Sequence, residues 1–156
     1  MSNILVIRND RFGEFLLIIP ALRALKERFP QAKITLAVDN PVVELTGYIE
    51  YVDDVMIWEN REHSFKETLE FSRQIKMRNF DMAVIFNPSQ ASHLAVQLAK
   101  VPVRVGYDRK MGYLLTDKMK DVKDLGLKHE VESNLDLVGL VGATTNNKRL
   151  SLNIGE

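Results

Sequence analysis

The residues best suited to chemistry fall in three polar clusters, each placed directly after an apolar run. Arg8-Asn9-Asp10-Arg11-Phe12-Gly13-Glu14 follows Ile4-Leu5-Val6-Ile7, Asn87-Pro88-Ser89-Gln90 follows the run 81–86, and Asp108-Arg109-Lys110 follows the run 103–107. Together they supply carboxylates (Asp10, Glu14), cations (Arg8, Arg11, Arg109, Lys110) and neutral hydrogen-bonding groups (Asn87, Ser89, Gln90). A carboxylate within hydrogen-bond reach of a hydroxyl serves as a general base. An unperturbed glutamate, with pKa ~4.3, is already ionised at pH 7 and able to accept that proton. Cations and amides around such a base suit an anionic, hydroxyl-rich partner such as an acidic sugar. The same residues also have plain structural explanations. Glu14 opens a helix, where the dipole favours an acid whatever the function. Asp10 is suited to a local turn, and Arg109 and Lys110 to solvating a loop.

Other chemistries find less support. Gly13 is the only glycine of the first cluster, so it is neither a dinucleotide fingerprint nor a phosphate-cradling loop. His63, His93 and His129 lie in different segments without metal-ligand spacing, and the chain has no cysteine. No Gly-x-Ser-x-Gly elbow is present.

Three clusters form one site only if the elements before them run side by side in the same direction. The run 4–7 is short and β-branched, as in a strand buried on both faces. After Glu14, Ile18, Leu22, Leu25 and Phe29 recur with helical spacing. Pro20 predicts either a kink in that helix or a turn at 14–19 followed by a helix with Pro20 in its first turn. Further strands are expected at 33–38, 52–58, 81–86 and 103–107. Helices are expected at 42–45, 65–79, 90–100 and 130–141, and a short extended piece at 113–116. Alternating strands and helices without an internal repeat predict an α/β fold, Rossmann-like and doubly wound around a mainly parallel sheet. Its centre should be the runs 4–7 and 81–86, the least interrupted. In such sheets ligands bind at the carboxyl ends of the strands, where the three clusters lie.

Length and charge agree with one globular domain. The chain has 156 residues, 46% hydrophobic and 27% charged, enough to bury a core. Lys+Arg and Asp+Glu are 21 each, so no net field steers it toward nucleic acid. No run approaches the ~20 apolar residues of a transmembrane helix, and Arg8, Asp10 and Arg11 interrupt the N-terminal run before it could act as a secretion signal. A soluble protein of a reducing compartment is expected. Residues 1–143 should form the domain and 144–156 a polar linker or tail.

The cluster Arg8–Glu14, the following apolar run, Pro20-Ala21-Leu22 and Leu25-Lys26-Glu27-Arg28-Phe29-Pro30 resemble the opening of the ADP-heptose:lipopolysaccharide heptosyltransferases, glycosyltransferase family 9. Tyr51-Val52-Asp53-Asp54-Val55, Val103-Arg104-Val105-Gly106-Tyr107-Asp108 and His129-Glu130-Val131-Glu132 continue the resemblance along nearly the whole chain. It implies the N-terminal, acceptor-binding domain of a two-domain GT-B enzyme. Such an enzyme is an inverting transferase that moves heptose, or a similar sugar, from a nucleotide donor such as ADP-heptose to a lipopolysaccharide-core or related, sometimes lipid-linked, glycan. Glu14 stands where the family has its catalytic aspartate and is the implied base. Arg8, Asp10, Arg11, Gly13, Asn87, Ser89, Gln90, Arg109 and Lys110 are the implied acceptor-binding set. His129 either faces the domain cleft or caps the last helix. The donor is expected to be held mainly by a C-terminal domain absent from this sequence, with no metal or other cofactor required. The implied location is the cytoplasm, at the inner face of the inner membrane. The competing reading is a non-catalytic module that keeps the fold to bind a sugar or a partner.

Overall fold

The computed structural model describes residues 1–10, 15–121 and 130–148. Arg11, Gly13, Glu14 and His129 lie outside them. Six strands form one sheet: β1 (Asn3–Ile7), β2 (Lys33–Val38), β3 (Asp54–Ile57), β4 (Met82–Ile85), β5 (Val103–Tyr107) and β6 (Asp117–Met119). Their order is β3-β2-β1-β4-β5-β6, and every neighbouring pair is parallel. Among the described residues the helices are α1 (Ile19–Arg28), α2 (Val43–Thr46), α3 (Phe65–Met77), α4 (Gln90–Leu98) and α5 (Glu130–Gly139). The expected doubly wound α/β architecture is therefore present, with β1 and β4 at its centre. From β1 the chain winds outward to β3, then returns to β4 and winds the other way. The switch point lies between β1 and β4.

The pleat explains the two cores. Ile4 and Val6 face one side of the sheet with Leu22 and Leu25 of α1 and Leu137 and Val138 of α5. Leu5 and Ile7 face the other with Phe71 and Ile75 of α3 and Ala95 and Val96 of α4. The side chains of Ile4, Leu5, Val6 and Ile7 are all wholly buried. That is why the run shows no polar alternation.

Pro20 takes the second of its two expected places. The Ile18 amide bonds the Phe15 carbonyl at 3.2 Å, and α1 then starts with Pro20 in its first turn, where the missing N–H costs nothing. Ser64 caps α3 in a complete capping box with Glu67. Two helices end earlier than the apolar spacing suggested. Asn79 (φ 55) follows α3 and Lys100 (φ 59) follows α4, and left-handed residues of this kind stop a helix.

The local structure differs from expectation in two places. Of the piece expected to be extended at 113–116, Tyr113 and Leu114 lie in a 3-10 turn over Gly112–Leu114, and the backbone is extended only from Leu115. The sixth strand, Asp117–Met119, was not expected. Three half-polar residues give no period-2 signal, and the strand exists because Val105, Gly106 and Tyr107 offer it a ladder. The short helix expected at 42–45 is present as α2, preceded by a 3-10 turn over Asn40–Val42. Residues 144–148 run beside α1 and α5. There the buried Arg23 donates to the Asn147 carbonyl, and Lys148 pairs with Glu132. Among the described residues no helix is long and apolar enough to cross a membrane.

Candidate functional site

Because the sheet is parallel, the connections after β1, β3, β4 and β5 all emerge at its carboxyl edge. Two are bolted together at the switch point. The Asn87 amide donates to Asn9 Oδ1 at 2.6 Å, and the Asn9 backbone N–H donates back to Asn87 Oδ1 at 3.2 Å. Asn9 Nδ2 also donates to the Glu59 carbonyl at 3.1 Å, which ties in the connection after β3. Each amide is thus oriented by its neighbours.

Beside this pair opens a polar cavity of about 610 Å³. Asn9, Asn87, Ser89, Gln90 and Lys110 line it, so each of the three sequence clusters contributes to it. Its other wall is Trp58 and the segment Asn60-Arg61-Glu62-His63. That wall had been read only as a strand end and a polar connection. The usable signal was topological: a third parallel strand must also end at the ligand edge. The wall is well braced. Trp58, 5% exposed, stacks against His63 (centroids 3.6 Å apart) and Phe71 (4.0 Å), and its indole N–H donates to Ser92 Oγ at 3.0 Å. Ser92 in turn accepts from Ser89 Oγ, the residue that caps α4. Arg61 pairs with Glu67 and Glu59. The Arg61 bond, aided by the Ser64 backbone N–H, pulls the Glu67 carboxyl down to about 2.

Arg8, Asp10 and Arg109 are placed differently. Arg8 lies beneath the edge, 2% exposed, with its guanidinium spread over three elements. Nε meets Asp10 Oδ1 at 2.9 Å, Nη1 donates to the Phe86 carbonyl at 3.3 Å, and Nη2 meets Glu130 Oε1 at 3.3 Å. Neither Arg8 nor Asp10 lines the polar cavity. Arg109 turns to the buried carboxylate of Asp121 at 3.1 Å, while Lys110 faces the cavity. Nearby, Tyr107 donates to the Ser133 carbonyl at 3.0 Å; burial first, and then the Glu130 charge, push its phenol well above the usual range. With neutral amides at its floor and a lysine at its rim, the cavity is equipped to bind hydroxyls and an anionic group.

The chain is similar to known glycosyltransferases. No family model matches it. A candidate glycosyltransferase of Haemophilus influenzae is 27% identical over 139 residues, 88% of this chain and 40% of the relative. Escherichia coli ADP-heptose lipopolysaccharide heptosyltransferase II superposes with TM-score 0.76 at 25% identity, covering 88% of this chain and 40% of that one. A family 9 glycosyltransferase of Veillonella parvula gives TM-score 0.81 at 19% identity, over 99% and 46%. An E. coli heptosyltransferase solved with ADP, WaaC, gives 0.74 at 17% identity, over 95% and 49%. The chain spans less than half the length of each. As its opening motif implied, it resembles the heptosyltransferases and family 9 glycosyltransferases, and it does so along most of its own length.

Proposed function

We propose that this chain is the acceptor-binding half of an inverting glycosyltransferase. It would move a heptose or similar sugar from a nucleotide-sugar donor to a lipopolysaccharide-core or related glycan. The observation that carries the reading is the polar cavity at the β1/β4 switch point of a fold shared with heptosyltransferase II. Asn87, Ser89 and Gln90 hold acceptor hydroxyls, Lys110 holds an acidic group, and Arg8 fixes the loop that leads toward Glu14. The Glu14 carboxylate takes the proton of the attacking hydroxyl. That oxygen forms a bond to the anomeric carbon from the face opposite the leaving group. The bond from that carbon to the nucleoside diphosphate breaks, and its electron pair leaves with the diphosphate. One structural neighbour was solved with ADP-2-deoxy-2-fluoro heptose. We assign the donor mainly to residues beyond this chain, which spans 40–50% of its neighbours. The enzyme would act in the cytoplasm, peripherally at the inner face of the inner membrane.

Two measurements test this. The chain alone should melt cooperatively and bind a lipopolysaccharide-core oligosaccharide without transferring sugar from ADP-heptose. An in-line donor site supplies proximity worth ~7–11 kcal/mol, which one half lacks. In the gene product that includes the donor half, Glu14→Gln should lower kcat by ~10²–10⁴-fold, the usual share of a general base. Transfer by the chain alone would put the donor among the acceptor loops. Unchanged kcat in Glu14→Gln refutes the base, and no acceptor binding favours the non-catalytic module.

A further inference from the structure

The connection after β5 contains two consecutive left-handed residues with side chains, Lys110 (φ 47) and Met111 (φ 71). Each is costly, because the Cβ crowds its own backbone, and such strain persists only where the surroundings impose it. Here the imposing group is visible. His93, on α4 and wholly buried, places Nδ1 3.0 Å from the Lys110 carbonyl. A carbonyl only accepts, so the ring must carry its proton on Nδ1. Its other nitrogen, Nε2, is buried without a hydrogen-bond partner. All of the ring's bonding is therefore committed to that one peptide group. The Lys110 carbonyl belongs to the peptide plane that joins the two left-handed residues. A single bond to it sets ψ of Lys110 and φ of Met111 together. The turn then closes without slack. The Leu114 amide reaches the Met111 carbonyl at 3.0 Å, and a Cβ on Gly112 would lie 2.4 Å from Asp108 Oδ1.

The consequence reaches the cavity. Lys110 is exposed on its rim, and among the described residues its ammonium has no carboxylate partner. We propose that His93 is a positioning residue: by gripping the Lys110 carbonyl from beneath, it holds a strained turn that presents the Lys110 ammonium to an anionic group in the cavity. The use of that ammonium rests on the acceptor reading above; the grip itself does not.

The test has three parts on the whole chain. Long-range 1H–15N NMR should find the His93 proton on Nδ1 near neutral pH, and a proton on Nε2 overturns the grip. Trypsin should cut after Lys110 at least about tenfold faster in His93→Leu than in the wild type, while the fold still melts cooperatively. His93→Asn, which keeps an N–H near the Nδ1 position, should fall between them. Equal cleavage in all three overturns the proposal. Should His93→Leu not fold, the ring tautomer and His93→Asn decide. With glucuronate as the anionic probe, Lys110→Ala and His93→Leu should weaken binding by similar factors, and the double variant no further. Additive losses mean that His93 does not act through Lys110. A wild type that does not bind glucuronate counts against the acceptor reading alone, and the first two measurements still judge the grip.

Discussion

Replacing Arg8 by methionine tests the argument that the carboxyl edge is held from below by one buried cation. The substitution keeps most of the side-chain volume and removes the fork. It leaves the Phe86 carbonyl short of a donor, and it leaves Asp10 and Glu130, whose side chains are 25% and 20% exposed, without their shared partner. Removing one member of a buried ion pair costs ~3–5 kcal/mol, because the stranded charge is no longer compensated. Both carboxylates retain some contact with water, so about 3 kcal/mol is the expected loss. For a chain of this length each kcal/mol lowers Tm by ~2–4 °C, giving a drop of about 6–12 °C by calorimetry or circular dichroism. Glu130→Gln should cost less, because Arg8 keeps Asp10 and the Phe86 carbonyl. In the double variant Arg8→Met/Glu130→Gln no charge is left stranded at position 130. Its loss should therefore fall short of the sum by ~1–2 kcal/mol. Arg8→Lys keeps the charge without the fork and should lie between wild type and Arg8→Met. A loss under about 1 kcal/mol in Arg8→Met, or strict additivity in the cycle, refutes the three-way brace.

Three further outcomes follow from the site's supports. Trp58→Phe, which keeps an aromatic ring but deletes the N–H bonded to Ser92 Oγ, should cost ~1 kcal/mol in urea unfolding, against ~3–5 kcal/mol for Trp58→Ala. Burial holds the His93 pKa below its ordinary value, against the pull of the Lys110 carbonyl. The unfolded chain therefore takes up that proton more readily. Its contribution to stability is complete above about pH 6.5 and is lost as pH falls toward the folded-state pKa, so His93→Asn should flatten the stability profile there. Ser64→Ala should cost ~1 kcal/mol by opening the α3 capping box. The Glu67 share of that box is present above about 4.5 and fades as pH drops toward about 2, which an acid titration of Tm in both proteins would reveal.

Much of the architecture was legible in the chain because the signals were local. The uninterrupted apolar runs at 4–7 and 81–86 marked the two central strands, since only strands covered on both faces can do without polar alternation. Pro20 narrowed the start of α1 to two possibilities, a kinked helix or a helix with Pro20 in its first turn, and the second is present. The polar clusters after those strands marked the carboxyl edge of the sheet. Parallel strands put all their carboxyl ends on one edge, so Asn87, Ser89, Gln90 and Lys110 meet around one cavity. The opening motif further implied the heptosyltransferase likeness that the superposition on heptosyltransferase II bears out.

What local sequence did not determine depends on which partner each side chain finds across the fold. Arg8, Lys110 and Arg109 are equivalent cations in the sequence. Tertiary structure buries the first under three acceptors, leaves the second on the cavity rim and pairs the third with Asp121. His93 looked like one more residue of an amphipathic helix, until α4 packed beneath the β5 connection and its ring met the Lys110 carbonyl. The wall of Trp58, Asn60 and His63 was equally silent, because its stack and hydrogen bonds join the connection after β3 to α3 and α4. β6 carries too short a pattern to be read at all and exists only because β5 offers an open edge. Hydrophobic period and backbone chemistry act over a few residues and survive in any context. Charge pairing, aromatic stacking and strand recruitment act between residues tens of positions apart, and only the closed fold brings those residues together.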